Sequence, residues 1–190
     1  MIKKILCAVL IFLLIFHNGN IYSSAKEPSD LAAESLLDTE TEMTKEDLNI
    51  VFAVDHSGSM NEQDAGQMIP KVLQVFTDTM HGENIRVGYL AYNDTIVTQR
   101  APVAVDQEDQ RLTLKQTIAD AKNGGETDIG LGLREAYHLM DGCSGKKMVV
   151  LISDGETDLA RSETGRTEED SEQDIEEIVQ RCQAEGTPVV

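Results

Sequence analysis

Five oxygen-bearing side chains in three separated segments have the types and spacing to hold a hard cation: Asp55, Ser57 and Ser59 in VFAVDHSGSM, Thr127 in GGETD, and Asp154 in MVVLISDGETD. Three hydroxyls and two carboxylates, with no His or Cys among them, suit Mg²⁺, Ca²⁺ or Mn²⁺ and suit Zn²⁺ poorly. Taken singly, the segments read as a Ser/Gly turn and a Thr helix cap. Their context joins them. Residues 50–54 and 148–152 are apolar runs of strand type that stop abruptly at an aspartate, as the strands of a parallel sheet covered on both faces do. Residues 124–128 come just before an amphipathic helix. All three segments are therefore expected at the carboxyl edge of one α/β sheet, where open sheets bind ligands.

The elements that must position these side chains alternate along the chain. Strand one, residues 48–54, is followed by a helix whose apolar positions Ile69, Val72, Leu73, Phe76 and Met80 recur at spacings of three and four. Pro70 is compatible with that helix only in its first turn. Strand two, residues 85–92, leads through Asn93-Asp94 into an alternating segment, 95–105. That link is too short for a helical crossover, so the segment reads as an antiparallel edge strand. A short helix around 110–121 precedes the Thr127 loop, and a helix with Ile129, Leu133, Ala136, Tyr137 and Met140 on one face follows it. Strand four is 147–152. The last helix, 168–185, turns Ile175, Ile178, Val179 and Cys182 inward. Thr167 with Asp170 has the pattern of a capping box, and Gly186 suits the helix stop. The fold class is α/β, a doubly wound, mostly parallel sheet with helices on both faces and strand order 3-2-1-4-5. Asp55 and Asp154 then end neighbouring central strands at the topological switch point. The repeat of GETD at 125–128 and 155–158 reads as coincidence, although Glu156 and Asp158 are candidates for extra ligands that would favour Ca²⁺.

At these residues the chain resembles the von Willebrand factor type A domain, over about residues 48–190. The shared motif is that family's metal-ion-dependent adhesion site, D-x-S-x-S followed by a Thr and then an Asp, and Asp55, Ser57, Ser59, Thr127 and Asp154 fill all five positions in order. The resemblance implies that the two serines and the threonine approach a Mg²⁺ (or Mn²⁺/Ca²⁺) directly or nearly so. One or both aspartates act through water, and a carboxylate from a protein partner completes the shell. A cation surrounded mostly by neutral hydroxyls stays electrophilic and keeps its affinity for an incoming anion. The resemblance also implies a Rossmann-like architecture and an adhesion-type binding module rather than an enzyme. Domains of the family continue past the strand that opens at Thr187-Pro188-Val189-Val190, so the expectation is a domain truncated at its C-terminal end.

Residues 1–25 read as a signal peptide: Lys3 and Lys4 precede an apolar run over 5–16 that is too short to span a bilayer comfortably, and the stretch closes on Ser23-Ser24-Ala25. Residues 26–47 hold eight acids and two lysines and read as an acidic linker. Cleavage after Ala25 removes two lysines and no acid, so the formal charge of −18 becomes −20. So acidic a secreted or cell-surface protein, expected to be bacterial, is a poor partner for nucleic acid or anionic lipid and a better one for divalent cations and basic protein surfaces. Membrane attachment is expected only through an anchor outside this chain.

Other chemistry is tempting. Asp55, His56 and Ser57 are adjacent, but strand alternation turns His56 away from the face that Asp55 and Ser57 share, which argues against a hydrolytic triad. His81 and His138 sit on helices without a partner motif. Ser144-Gly145-Lys146-Lys147 lacks the glycine spacing and the Ser/Thr of a phosphate loop, which excludes nucleotide binding. Asn93-Asp94-Thr95 is a glycosylation sequon by pattern. The competing functions are a metal-dependent hydrolase of the phosphoryl-transfer type and a chelatase-type partner of an AAA ATPase. The first lacks a general base or phosphate-holding lysine near the site, and the export signal weakens the second. Cys143 and Cys182 are the only cysteines after residue 25, both expected at the sheet edge away from the site, as a disulfide or as two thiols.

Overall fold

The computed structural model describes residues 46–190 except 81 and 83. The segments expected to be a signal peptide and, for nearly all of its length, an acidic linker lie outside the described residues, as does His81. Four strands form one sheet: β1 (Leu48–Asp55), β2 (Ile85–Tyr92), β3 (Ile96–Ala104) and β4 (Lys146–Ile152), in the order β3-β2-β1-β4. β1 runs parallel to both β2 and β4, whereas β3 is the antiparallel edge. Beyond β4, Val149 N donates to Pro188 O and Val190 N donates to Val149 O around a parallel Val149–Val189 bridge, so residues 188–190 occupy the fifth position. The expected 3-2-1-4-5 order is what the chain adopts.

Helices cover both faces. α1 (Met60–Gln63), α2 (Met68–Thr79), α3 (Glu108–Asp120), α4 (Ile129–His138) and α5 (Glu168–Glu185) follow the strands in order. Side-chain alternation along β1 divides the core. Val51 and Ala53 join Leu90, Tyr92 and Val149 under Leu133, Ala136 and Tyr137 of α4 and Ile178 and Cys182 of α5. Phe52 points the other way and meets Phe76 of α2 edge-on, with ring centroids 5.2 Å apart. α4 and α5 share one face, where Leu133, Ala136 and Tyr137 meet Ile178 and Cys182. Every residue of β1 after Leu48 is buried, whereas only Val149 of β4 is fully so.

Local chemistry sets the helix ends. Pro70 falls in the first turn of α2. Thr167 and Asp170 form the reciprocal capping box of α5, whose first turn is acidic, and Gly186 ends that helix at φ 68°. α1, a single turn directly after Ser59, has no apolar period long enough to announce it. Cys143 and Cys182 are free thiols, with Cys143 packed against the cluster that contains Cys182. A shallow groove of about 700 Å³ lined by Glu46, Leu48, Cys143, Lys146, Glu185 and Pro188, among others, lies at that same edge. No helix among the described residues is long and apolar enough to cross a membrane.

Candidate metal centre

Parallel register puts the ends of β1 and β4 level. Val54 pairs with Ile152, which brings Asp55 beside Ser153, while Asp55 itself pairs with Tyr92 at the end of β2. From there a chain of hydrogen bonds crosses the sheet edge. Oδ1 of Asp55 accepts the Ser57 amide at 2.8 Å and Oδ2 accepts the Ser153 hydroxyl at 2.8 Å. Ser57 Oγ lies 3.1 Å from Ser59 Oγ, and Ser59 Oγ donates to Asp154 Oδ1 at 3.2 Å. Three of the five sequence-derived residues, Ser57, Ser59 and Asp154, are thus linked side chain to side chain, and Asp55 joins them through the Ser57 amide. Thr127 arrives by main chain: Gly58 N donates to Gly125 O at 3.0 Å and Gly124 N to His56 O at 2.8 Å, clamping the two loops together. Gly125 has φ 74°, and a Cβ there would meet Asp94 and Asn93 side chains at 2.5 and 2.9 Å, so only glycine fits this loop.

Neither hydroxyl is spent on capping. Ser59 precedes α1 in helical conformation without a side-chain cap, and α4 is capped not by Thr127 but by Asp128, whose Oδ1 accepts Leu131 N at 2.9 Å. The cap reading therefore fails at Thr127, whereas Ser57-Gly58-Ser59 does form a turn, with Met60 N on Ser57 O at 3.2 Å. Asp55 is 0 % exposed, Ser57 2 % and Thr127 7 %, while Ser59 is open to solvent and Asp154 half-buried. The site has a buried floor and an open top.

Among the described residues, neither Asp55 nor Asp154 has a Lys, Arg or His ion partner. Asp55 is thus a buried carboxylate that receives one amide and one hydroxyl and no cation from the protein, an arrangement whose charge calls for an outside cation. The donor spacing fits one. Adjacent oxygens around an octahedral Mg²⁺ with bonds of 2.0–2.1 Å stand about 2.9 Å apart, close to the 3.1 and 3.2 Å separations of Ser57, Ser59 and Asp154. No group of three or more His, Cys, Asp or Glu suited to a metal occurs among the described residues, so any cation here is held by hydroxyls together with two acids.

Three participants were invisible to sequence reasoning. Ser153 orients Asp55. Tyr92 brings a fully buried hydroxyl beside Asp55 and Ser153; burial pushes its pKa well above the usual range, reinforced by the Asp55 carboxylate. Arg166 reaches Asp128 with Nε 2.6 Å from Oδ2. The serine adjoining Asp154 was the one available signal.

The tempting alternatives separate cleanly. His56 Nε2 sits 2.8 Å from the Tyr89 hydroxyl, and burial lowers its pKa, so it is neutral and faces away from Ser57. His138 contacts Asp141 at the surface. Lys146 and Lys147 open β4 at the far end of the sheet. Asn93 donates Nδ2 to Gly124 O at 2.6 Å and accepts from Thr95, so the sequon amide is engaged in the fold. The two GETD segments are not independent, since Thr127 and Asp158 exchange main-chain hydrogen bonds at 2.9 Å each way. Asp158 directs Oδ1 to Ala160 N, at 3.2 Å.

A mostly parallel sheet with helices on both faces and this loop constellation at its carboxyl edge defines a doubly wound, Rossmann-like α/β domain. The chain belongs to the von Willebrand factor type A domain family, whose model matches residues 49–190. It is similar in fold to the pilus adhesin SpaC from Lactobacillus rhamnosus GG, at 21 % identity and TM-score 0.53 over 60 % of this chain and 16 % of that one. A von Willebrand factor type A protein from Catenulispora acidiphila gives 21 % and 0.55 over 72 % and 30 %. The proximal thread matrix protein 1 of the mussel byssus gives 22 % and 0.53 over 76 % and 36 %. The chain spans between about a sixth and about a third of the length of these structures. No curated protein matches it.

Proposed function

We propose that this domain is a metal-dependent protein-binding module of a secreted or cell-surface protein, and not an enzyme. The observation that carries the reading is the buried, cation-free Asp55 carboxylate at the head of a hydroxyl array that opens to solvent at Ser59. Ser57, Ser59 and Thr127 would hold Mg²⁺, or Mn²⁺ or Ca²⁺ in its place, with Asp55 and Asp154 acting partly through water. Bound there, the cation supplies an electrophilic position for an acidic residue of a protein ligand. The protein's own part is to keep the donors at their spacing and the floor dry: Ser153 fixes Asp55, and the Gly58–Gly125 clamp fixes the Thr127 loop. The pilus adhesin and the byssal matrix protein among the structural neighbours agree with an extracellular binding role.

The hydrolase reading finds little support, because among the described residues no Lys or Arg pairs with Asp55 or Asp154, and the His56 imidazole is turned to Tyr89. An array of immobilised peptides, each in Asp and Asn versions, tests the proposal. Capture of Asp peptides in Mg²⁺, lost with chelator and with Asp for Asn exchange, is expected. Metal-dependent turnover of generic phosphate or peptide substrates that Asp154→Ala removes would favour the hydrolase instead.

A further inference from the structure

Asp128 is buried at 0 % exposure directly after Thr127, and both of its oxygens are committed. Oδ1 caps α4 through Leu131 N at 2.9 Å, and Oδ2 takes Arg166 Nε at 2.6 Å. Arg166 stands just before α5 and uses its other arm, Nη2, on Asp174 Oδ2 at 2.6 Å, where Arg134 of α4 also donates at 2.6 Å. The same junction is tied by Ser171, whose hydroxyl accepts Gly130 N at 2.8 Å, and it is so tight that a Cβ on Gly130 would come 2.1 Å from Ser171 O. Arg166 is the only cation paired with Asp128 among the described residues. The metal-site loop is thus fastened to the start of α5 by one guanidinium that bridges two carboxylates, which a lysine, a single point charge, cannot do in the same way.

We infer that Arg166 is a positioning residue for the cation site: through Asp128 it holds Thr127 in place and makes cation affinity depend on the docking of the α5 N-terminus. The inference rests on the metal reading above. Asp128 also receives a fixed orientation from its amide, which donates to Asn93 O at 3.0 Å, and Thr127 is paired to Asp158. Loss of Arg166 leaves a buried carboxylate without its cation, whose easiest relief is to swing out, releasing the cap of α4 and pulling on the main-chain bonds that hold Thr127.

The test uses the full chain as wild type, Arg166→Gln and Arg166→Lys, with amide hydrogen exchange in chelator and calorimetric titration with Mn²⁺. Arg166→Gln should speed exchange at Thr127 and Leu131 by tenfold or more, leave β1 and β2 amides protected, and weaken Mn²⁺ binding about tenfold. Arg166→Lys should recover part of both effects. Unchanged exchange at Thr127, or faster exchange with unchanged Mn²⁺ affinity, would overturn the role of Arg166 while leaving the metal site intact. Global loss of protection in Arg166→Gln, unrelieved in Arg166→Lys, would make it a fold residue only. A wild-type chain that binds no Mn²⁺ would overturn the metal reading itself and this inference with it.

Discussion

Ser153 donates its hydroxyl to Asp55 at 2.8 Å across two adjacent parallel strands, joining residues 98 apart in sequence at the floor of the site. One oxygen of Asp55 is thereby fixed by β4 and the other by the Ser57 amide of its own loop. Ser153→Ala should free Asp55 to rotate. Outer-shell hydrogen bonds of this kind typically contribute roughly 10–100-fold to metal affinity, so Mg²⁺ binding should weaken at least tenfold while the melting temperature in chelator changes little. Titration of wild type and variant checks it.

A cation that binds only the folded chain must stabilise it. At one hundred times its dissociation constant the gain is about 2.7 kcal/mol, or roughly 5–10 °C in melting temperature for a domain of this size. Thermal melts in Mg²⁺ and in chelator should differ by that much for wild type and not at all for Asp55→Ala.

The α4–α5 junction predicts an inverted glycine effect. Alanine normally favours a helix over glycine by about 1 kcal/mol, yet Gly130→Ala places a methyl against the Ser171 backbone, which cannot retreat as a flexible side chain would. The substitution should destabilise by about 1–3 kcal/mol, measured by denaturant titration.

Tyr89 and Tyr92 are buried to 1 % and 0 % exposure, and burial raises the pKa of each. The folded chain keeps both phenolic protons where the unfolded chain loses them. This contribution is therefore fully present below pH ~10 and lost as pH rises above it, toward the raised folded values. Melting temperature should fall steeply above pH ~10, and Tyr89→Phe should flatten that fall.

Strands and helices were legible, and the five oxygen-bearing side chains could be singled out, because each rests on a local pattern: apolar runs stopping at Asp55 and Ser153-Asp154, the Thr167–Asp170 box, Gly186. What stayed hidden depends on pairings between distant segments. Asp128 and Thr127 are both good caps, and only the backbone geometry assigns the cap to Asp128 rather than to Thr127. Arg166 looks like any surface arginine until the crossover brings it 2.6 Å from Asp128, 38 residues away. The GETD echo, read as coincidence, is a contact, because Thr127 and Asp158 bridge the two loops. Whether two cysteines at one sheet edge pair is also a question of tertiary geometry, and the structure holds them as thiols.

The central claim is that Asp55, Ser57, Ser59, Thr127 and Asp154 form one cation site. Calorimetric titration of the chain and its Asp55→Ala variant with Mg²⁺ and Mn²⁺ addresses it most directly. The account predicts one site of micromolar-to-millimolar affinity in wild type and none in the variant. Equal binding by both proteins, or no binding by either, would contradict it.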